Sequence, residues 1–181
     1  MGDPRRFHHM AGLVEQIVPA SSRIADVASG KGYLRAALHQ RGYRRVESWD
    51  RRPRCAGGRG YRYGYFDWRS APRDYDAVIA MHPDGGTDHA LLYAGERGVP
   101  GLVCPCCITP SAATYWGKHS YLDWCDHLES LVVSHGGRAQ WIALPIMGRN
   151  RVLLVNGSPA ETGARRPPLR PTPARVPDNQ T

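Results

Sequence analysis

Residues Asp26 to Leu38 read DVASGKGYLRAAL. An acidic residue sits near the end of a short apolar run, the turn Ser29-Gly30-Lys31-Gly32 follows, and apolar residues then recur at helical spacing at Leu34, Ala37 and Leu38. A strand that turns through glycine straight into a helix lets the main chain approach a ligand beyond the strand's carboxyl end. Two familiar occupants of such a turn do not match the letters. The dinucleotide fingerprint needs a third glycine three residues after Gly32, where Arg35 stands, and the phosphate loop needs a lysine and hydroxyl pair after a longer glycine loop.

Working outward, RIADVA (Arg23 to Ala28) reads as a buried strand and YLRAALHQRG as the helix after it, with Gly42 as its stop. FHHMAGLVEQIVP (Phe7 to Pro19) spaces Met10, Leu13, Ile17 and Val18 as an N-terminal helix ended by proline, with His8 and His9 as surface residues. RVESWD (Arg45 to Asp50) is a second strand and YDAVIAMH (Tyr75 to His82) a third. Helical TDHALLYAGERG, strand-like PGLVCPCC and helical SYLDWCDHLESLVVSHGG follow. AQWIALPI and VLLVNG, joined by MGRNR, suit a closing hairpin. Alternating strands and helices predict an α/β fold, a Rossmann-like three-layer sandwich with a mostly parallel sheet and a C-terminal antiparallel strand pair. The domain is expected over residues 1–157. From Ser158 to Thr181 the chain holds six prolines and four arginines without apolar periodicity, the composition of a disordered tail.

No apolar run approaches the roughly 18 residues of a membrane span, and the N-terminal segment lacks signal-peptide character. Five clustered cysteines suit a reducing compartment, so a cytoplasmic protein is expected. The net charge is +8 and nearly all of it is arginine, Lys31 and Lys118 being the only lysines. A GC-rich genome explains that skew as well as a nucleic-acid site does.

A third ligand fits the opening turn better. S-adenosylmethionine carries an ammonium, a ribose and an adenine but no phosphate. Asp26 supplies an acid near the ammonium, and Ala28, Ser29, Gly30 and Gly32 supply close main chain. Asp50, ending the second strand, is placed for the ribose hydroxyls. In YFDWR, Asp67 and Trp68 are placed for the adenine, and Met81 ends the strand beside the site.

These residues resemble the class I S-adenosylmethionine-dependent methyltransferases over roughly residues 20 to 156, with Ala28 where that family's first motif glycine stands. MHPDGGTDHALLYA followed by CPCC resembles a narrower branch, marked by a His-x-x-Gly/Glu-x-Thr-Asp/Glu segment and a Pro-Cys-Cys motif. That branch includes a tRNA ribose methyltransferase and the methyltransferase-like domain of a glutathione S-transferase C-terminal-domain protein. The resemblance implies methyl transfer to an oxygen or nitrogen acceptor.

Methyl transfer is an in-line displacement, and the protein must align the acceptor and remove its proton. In the family it resembles, the segment after the strand that YDAVIAMH matches borders the methyl group. His82 and Asp84 are therefore candidate bases, and Asp88 a capping or orienting group. Cys104 and Cys107 form a Cys-x-x-Cys pair, but a structural zinc site needs four ligands, so no metal is expected. Cys106 and Cys107 are read instead as small residues lining the acceptor site, with Tyr115, Trp116 and His119 as aromatic walls. The arginines at positions 41, 44, 45, 51, 52, 54, 59 and 62 tilt the expected acceptor towards RNA, and a small heteroaromatic or hydroxylated molecule is the alternative. A catalytically inert binding module of the same fold is a further reading.

Overall fold

The computed structural model describes residues 5–53, 59–110 and 120–157. Tyr115, Trp116, His119, Arg54, Cys55 and the expected tail from Ser158 lie outside them. The order is α1 (Arg6–Glu15), β1 (Ile24–Val27), α2 (Tyr33–Gln40), β2 (Val46–Asp50), β3 (Tyr61–Tyr63) and β4 (Ala77–Met81). After these come α3 (Thr87–Arg97), β5 (Gly101–Cys104), α4 (Tyr121–Ser134), β6 (Ala139–Ala143) and β7 (Arg151–Val155).

The strands form one sheet in the order β3-β2-β1-β4-β5-β7-β6. β1 lies parallel to β2 and to β4, with Ile24 opposite Val46 on one side and Ala77 on the other. β4 and β5 are also parallel, Met81 facing Cys104, whereas β7 is antiparallel to both β5 and β6. The expected architecture, including the closing antiparallel pair, is the one observed. Since β1 has a parallel neighbour on each side, the winding reverses at β1 and β4, and the crevice opens beyond their carboxyl ends.

Strands covered on both faces must be apolar at every position, and β1, β4 and β5 are buried throughout. Their side chains divide between two cores. Ile24, Ile79, Leu102 and Leu154 meet Met10 and Val14 of α1 and Leu34 and Leu38 of α2. Ala25, Val78 and Val103 meet Leu91 and Tyr93 of α3 and Trp124, Leu128 and Val132 of α4. At Gly101 an added Cβ would stand 2.6 Å from Ala94, so glycine sets how closely α3 lies on β5. α4 begins at Ser120, whose hydroxyl accepts from the N–H of Asp123 (3.1 Å) and satisfies an otherwise unpaired first-turn donor.

β3 has no counterpart in the sequence reading. Its residues Tyr61, Arg62 and Tyr63 are half-exposed or exposed at the sheet edge, so no apolar alternation marks them. Side chains of Glu47 and Trp49 on β2 anchor that edge. Glu47 accepts from Tyr75 (2.6 Å), Arg23 (2.7 Å) and Arg62 (2.5 Å), and Trp49 Nε1 donates to the Tyr75 hydroxyl (2.9 Å).

Candidate active site

The turn after β1 is built from left-handed backbone. Ala28, Gly30 and Gly32 have φ of 53°, 58° and 74°. Glycine adopts this conformation freely; alanine at Ala28 carries strain of about 1 kcal/mol. The turn is pinned by Ser29 N–H donating to Trp49 O (2.9 Å) and Gly32 N–H donating to Ser29 O (3.0 Å). At Gly32 an added Cβ would fall 1.9 Å from the Tyr61 hydroxyl, so the edge strand closes over the turn. The Ser29 hydroxyl is buried and has no hydrogen-bond partner among the described residues.

Two carboxylates flank this turn, in opposite electrostatic states. Asp50 closes β2 and its oxygens are saturated. Oδ2 accepts from Gly30 N–H and Arg52 Nη2, both 2.8 Å, and Oδ1 from the main-chain N–H and Nε of Arg52, both 2.9 Å. Burial pushes its carboxyl up, but the bonds from Arg52 and Gly30 outweigh that and hold it below the usual range. Asp26 on β1 is only 1 % exposed and receives one weak bond, from Ser48 Oγ at 3.3 Å. Burial dominates there and pushes its carboxyl up to about 7, against the pull of Ser48 and Arg35. A buried acid with so little compensation suits a cationic ligand.

β4 ends in a second strained segment. His82 and Asp84 have φ of 55° and 47°, on either side of Pro83, and Asp84–Gly86 forms one 3-10 turn leading into α3. The segment is held by His82 N–H to Cys104 O (2.9 Å), Gly86 N–H to Pro83 O (2.9 Å) and Thr87 Oγ1 to Asp84 O (2.8 Å). Gly86 abuts β1, since a Cβ there would stand 2.9 Å from Val27 Cγ1. The turns after β1 and β4 thus meet at the crevice. Non-glycine residues in left-handed backbone concentrate at functional sites.

His82 and Asp84 diverge in role. His82 Nε2 lies 3.0 Å from the carbonyl of Arg149, which only accepts, so Nε2 carries the proton. Burial lowers the His82 pKa, against the pull of the Arg149 carbonyl. Asp84 is exposed, and its Oδ1 accepts from Cys106 Sγ at 3.2 Å. Cys106 is half-buried and Cys107 exposed, just beyond β5. Burial first, then bonds to Cys107 and Asp84, push the Cys106 thiol up. Asp88 is fully buried in the first turn of α3, where it accepts from His89 N–H (3.0 Å) and faces His127 of α4. Its position orients α3 against α4 and keeps it from touching an acceptor.

The adenine candidates are less tightly gathered. Asp67 caps its own turn, accepting from Arg69 N–H (3.2 Å) and Ser70 Oγ (3.0 Å), and lies 3.5 Å from His89 Nδ1. Trp68 stands edge-on to His135 with ring centroids 6.3 Å apart, and its buried indole N–H has no partner among the described residues. Met81 belongs to the core on the α1 side, with 8 % exposure.

Sequence reasoning missed Arg52 as the partner of Asp50 and Arg149 as the carbonyl that holds His82. The Arg52 contact lies two residues along the chain and was open to inspection. The Arg149 contact spans 67 residues and had no local signal.

No family model matches this sequence, and no curated protein is significantly similar to it. Solved structures do match. Mitomycin 7-O-methyltransferase superposes with a TM-score of 0.53 at 17 % identity over 83 % of this chain, which spans about half of that protein (54 %). Streptomyces venezuelae DesVI matches with a TM-score of 0.57 at 13 % identity, over 86 % of this chain and 92 % of the other. Aeropyrum pernix fibrillarin, solved with natively bound S-adenosyl-L-methionine, matches with a TM-score of 0.54 at 12 % identity, covering 84 % and 76 %. The chain therefore has the Rossmann-like fold found in methyltransferases.

Proposed function

We propose that this protein is an S-adenosylmethionine-dependent methyltransferase and that its acceptor is RNA. One observation carries the first part: Asp26 and Asp50, on adjacent strand ends, flank a left-handed glycine turn whose Ser29 hydroxyl is buried without a partner among the described residues. The methyl donor fits these groups. Its ammonium suits the poorly compensated Asp26 carboxylate, its ribose hydroxyls suit Asp50 in place of the half-exposed Arg52 guanidinium, and its methionine portion suits the close main chain from Ala28 to Gly32. When bound, S-adenosylmethionine supplies an electrophilic methyl group on sulfur. The residues bordering that end are His82 and Asp84, with Cys106 and Cys107 opposite, and Asp84 is the exposed carboxylate able to act on the acceptor's proton. The mitomycin 7-O-methyltransferase and the fibrillarin with bound S-adenosyl-L-methionine share this fold and support the same reading at that level.

The RNA part rests on a cleft of about 570 Å³ lined by Arg23, Arg35, Arg44, Arg45, Arg59 and His39 together with Glu47. It lies at the amino ends of β1, β2 and β3, so it would grip RNA flanking the nucleotide that enters the crevice at their carboxyl ends. Pairing removes several other arginines from consideration. Arg52 is held by Asp50, Arg62 by Glu47, and Arg41 lies 3.5 Å from Glu15. Arg23 is engaged by Glu47 and Asp74, and Arg35 donates to the Arg59 carbonyl and lies over the Tyr61 ring, which leaves Arg44, Arg45 and Arg59 as the cations best disposed towards phosphate. Affinity for total tRNA should fall steeply with salt, each phosphate contact adding about −0.7 to −0.9 to the logarithmic slope. Absence of binding at low salt, with turnover of a small molecule, would assign a small-molecule acceptor instead.

Calorimetric titration with S-adenosylmethionine tests the donor. Asp50→Ala should weaken binding at least tenfold, because hydrogen bonds to a charged group contribute about 1.5–3 kcal/mol each. Equal affinities would remove Asp50 from the site, and no heat with either protein would remove the reading. Binding without transfer to any acceptor would identify an inert module of this fold.

A further inference from the structure

The side chains of Asp84, Cys106 and Cys107 converge. One ligand atom from each, a carboxylate oxygen and two sulfurs, all lie within 4.8 Å of one another. Among the described residues no other three histidine, cysteine, aspartate or glutamate side chains come together in this way. We propose that these three residues form a zinc site at the carboxyl edge of β4 and β5, with its fourth position open towards the acceptor.

The chemistry of the donors selects the metal. Two thiolates and one carboxylate form a soft, anionic set that favours zinc over magnesium or calcium, which take oxygen. Tetrahedral zinc, with bonds of about 2.3 Å to sulfur and 2.0–2.2 Å to oxygen, sets its ligand atoms roughly 3.3–3.8 Å apart. Cys106 Sγ already lies 3.2 Å from Asp84 Oδ1, so side-chain rotation is enough to reach that geometry. The scaffold is stiff on both sides. Met81 and Cys104 are paired across the parallel strands that carry the ligands. Asp84 follows in left-handed backbone, fixed by Thr87 Oγ1 on its carbonyl. Three protein ligands with an open fourth position distinguish zinc that handles a substrate from zinc that only holds a fold. Counting cysteine pairs along the chain missed the site, because the carboxylate that completes it comes from a different strand.

Binding one zinc ion to two thiols and one carboxylate releases two protons to solvent and leaves the site with one net negative charge. Occupancy is therefore steeply dependent on pH, and a neutral heteroatom of the acceptor or a water completes the tetrahedron.

The test is metal analysis of the full chain purified without chelator, followed by titration of the metal-free protein with cobalt(II). About one zinc per chain is expected, and cobalt should give a thiolate-to-metal charge-transfer band in the near ultraviolet together with visible tetrahedral bands. Cys106→Ser and Cys107→Ser should each abolish or strongly reduce the charge-transfer band, and Asp84→Asn should weaken cobalt binding at least tenfold. Circular dichroism of each variant separates loss of the site from loss of the fold. A metal-free wild type with no charge-transfer band would overturn the proposal. So would a band that survives in the Cys106→Ser, Cys107→Ser double variant, since Cys55, Cys104 or Cys125 would then be responsible. Titration with S-adenosylmethionine on the same samples reads the methyl-donor site separately, so either assignment can fail without the other.

Discussion

Asp26→Asn should make the ligand-free protein more stable at pH 8, by up to about 4 kcal/mol, while weakening S-adenosylmethionine binding at least tenfold. The carboxyl is pushed up to about 7 by burial, against 3.8 for an ordinary aspartate. Between those values the folded chain holds a proton that the unfolded chain has lost, so stability falls as pH rises from about 4 to about 7. Above pH 7 the folded protein keeps a buried charge supported, among the described residues, by one hydrogen bond from Ser48 at 3.3 Å and by the charge of Arg35. Asparagine removes that charge and keeps the shape. The gain should vanish below about pH 4, where wild type and variant are both neutral. Thermal melts of the two proteins at pH 4 and pH 8 check the difference, and equal melting temperatures at pH 8 would show that Asp26 is compensated in solution. Glu47 works in the opposite direction. Burial pushes it up, but Arg62, Tyr75 and Arg23 outweigh that and hold it at about 2. Its contribution is present above about 4.5 and is lost as pH falls towards 2. The ligand-free protein should therefore be most stable in mildly acidic solution, and saturating methyl donor should move that optimum towards neutral pH.

The contrast between Asp26 and Asp50 explains what was legible in the sequence. Buried parallel strands leave continuous apolar runs, and β1, β4 and β5 were visible for that reason. A glycine turn and an acid at a strand end are local, so the positions of Ser29, Gly30, Gly32 and Asp50 around one crevice could be expected from the letters. The state of each group is not local. Asp26 and Asp50 are the same residue type at neighbouring strand ends, yet one is saturated and the other nearly bare, because only Asp50 has Arg52 two residues along. β3 was invisible for a related reason: an edge strand of half-exposed tyrosine and arginine is held by Glu47 of its neighbour rather than by its own apolar pattern. His82 and Asp84 stand two residues apart and looked interchangeable as bases. The left-handed backbone around Pro83 separates them, turning one to the carbonyl of Arg149 and the other to Cys106.

That separation predicts unequal effects on transfer. Asp84→Asn should slow single-turnover methyl transfer by about 10²–10⁴-fold and leave donor affinity within a few-fold of wild type, since Asp84 faces Cys106 rather than the glycine turn. His82→Ala should lower the rate less, because its Nε2 proton is committed to the Arg149 carbonyl, which makes it a support for the segment. Part of that loss should be recovered by His82→Gln, which can still donate to the same carbonyl. A rate for Asp84→Asn within a few-fold of wild type would remove Asp84 from the reaction. The cysteines decide how it acts. If Asp84 takes the acceptor's proton by itself, Cys107→Ser should stay far closer to the wild-type rate than Asp84→Asn, because serine keeps a small polar side chain at that exposed position beyond β5. If Asp84 works as one ligand of a zinc ion, Cys107→Ser should lose rate alongside Asp84→Asn, and chelation should bring wild type down to the same level. The zinc site predicts the second pattern.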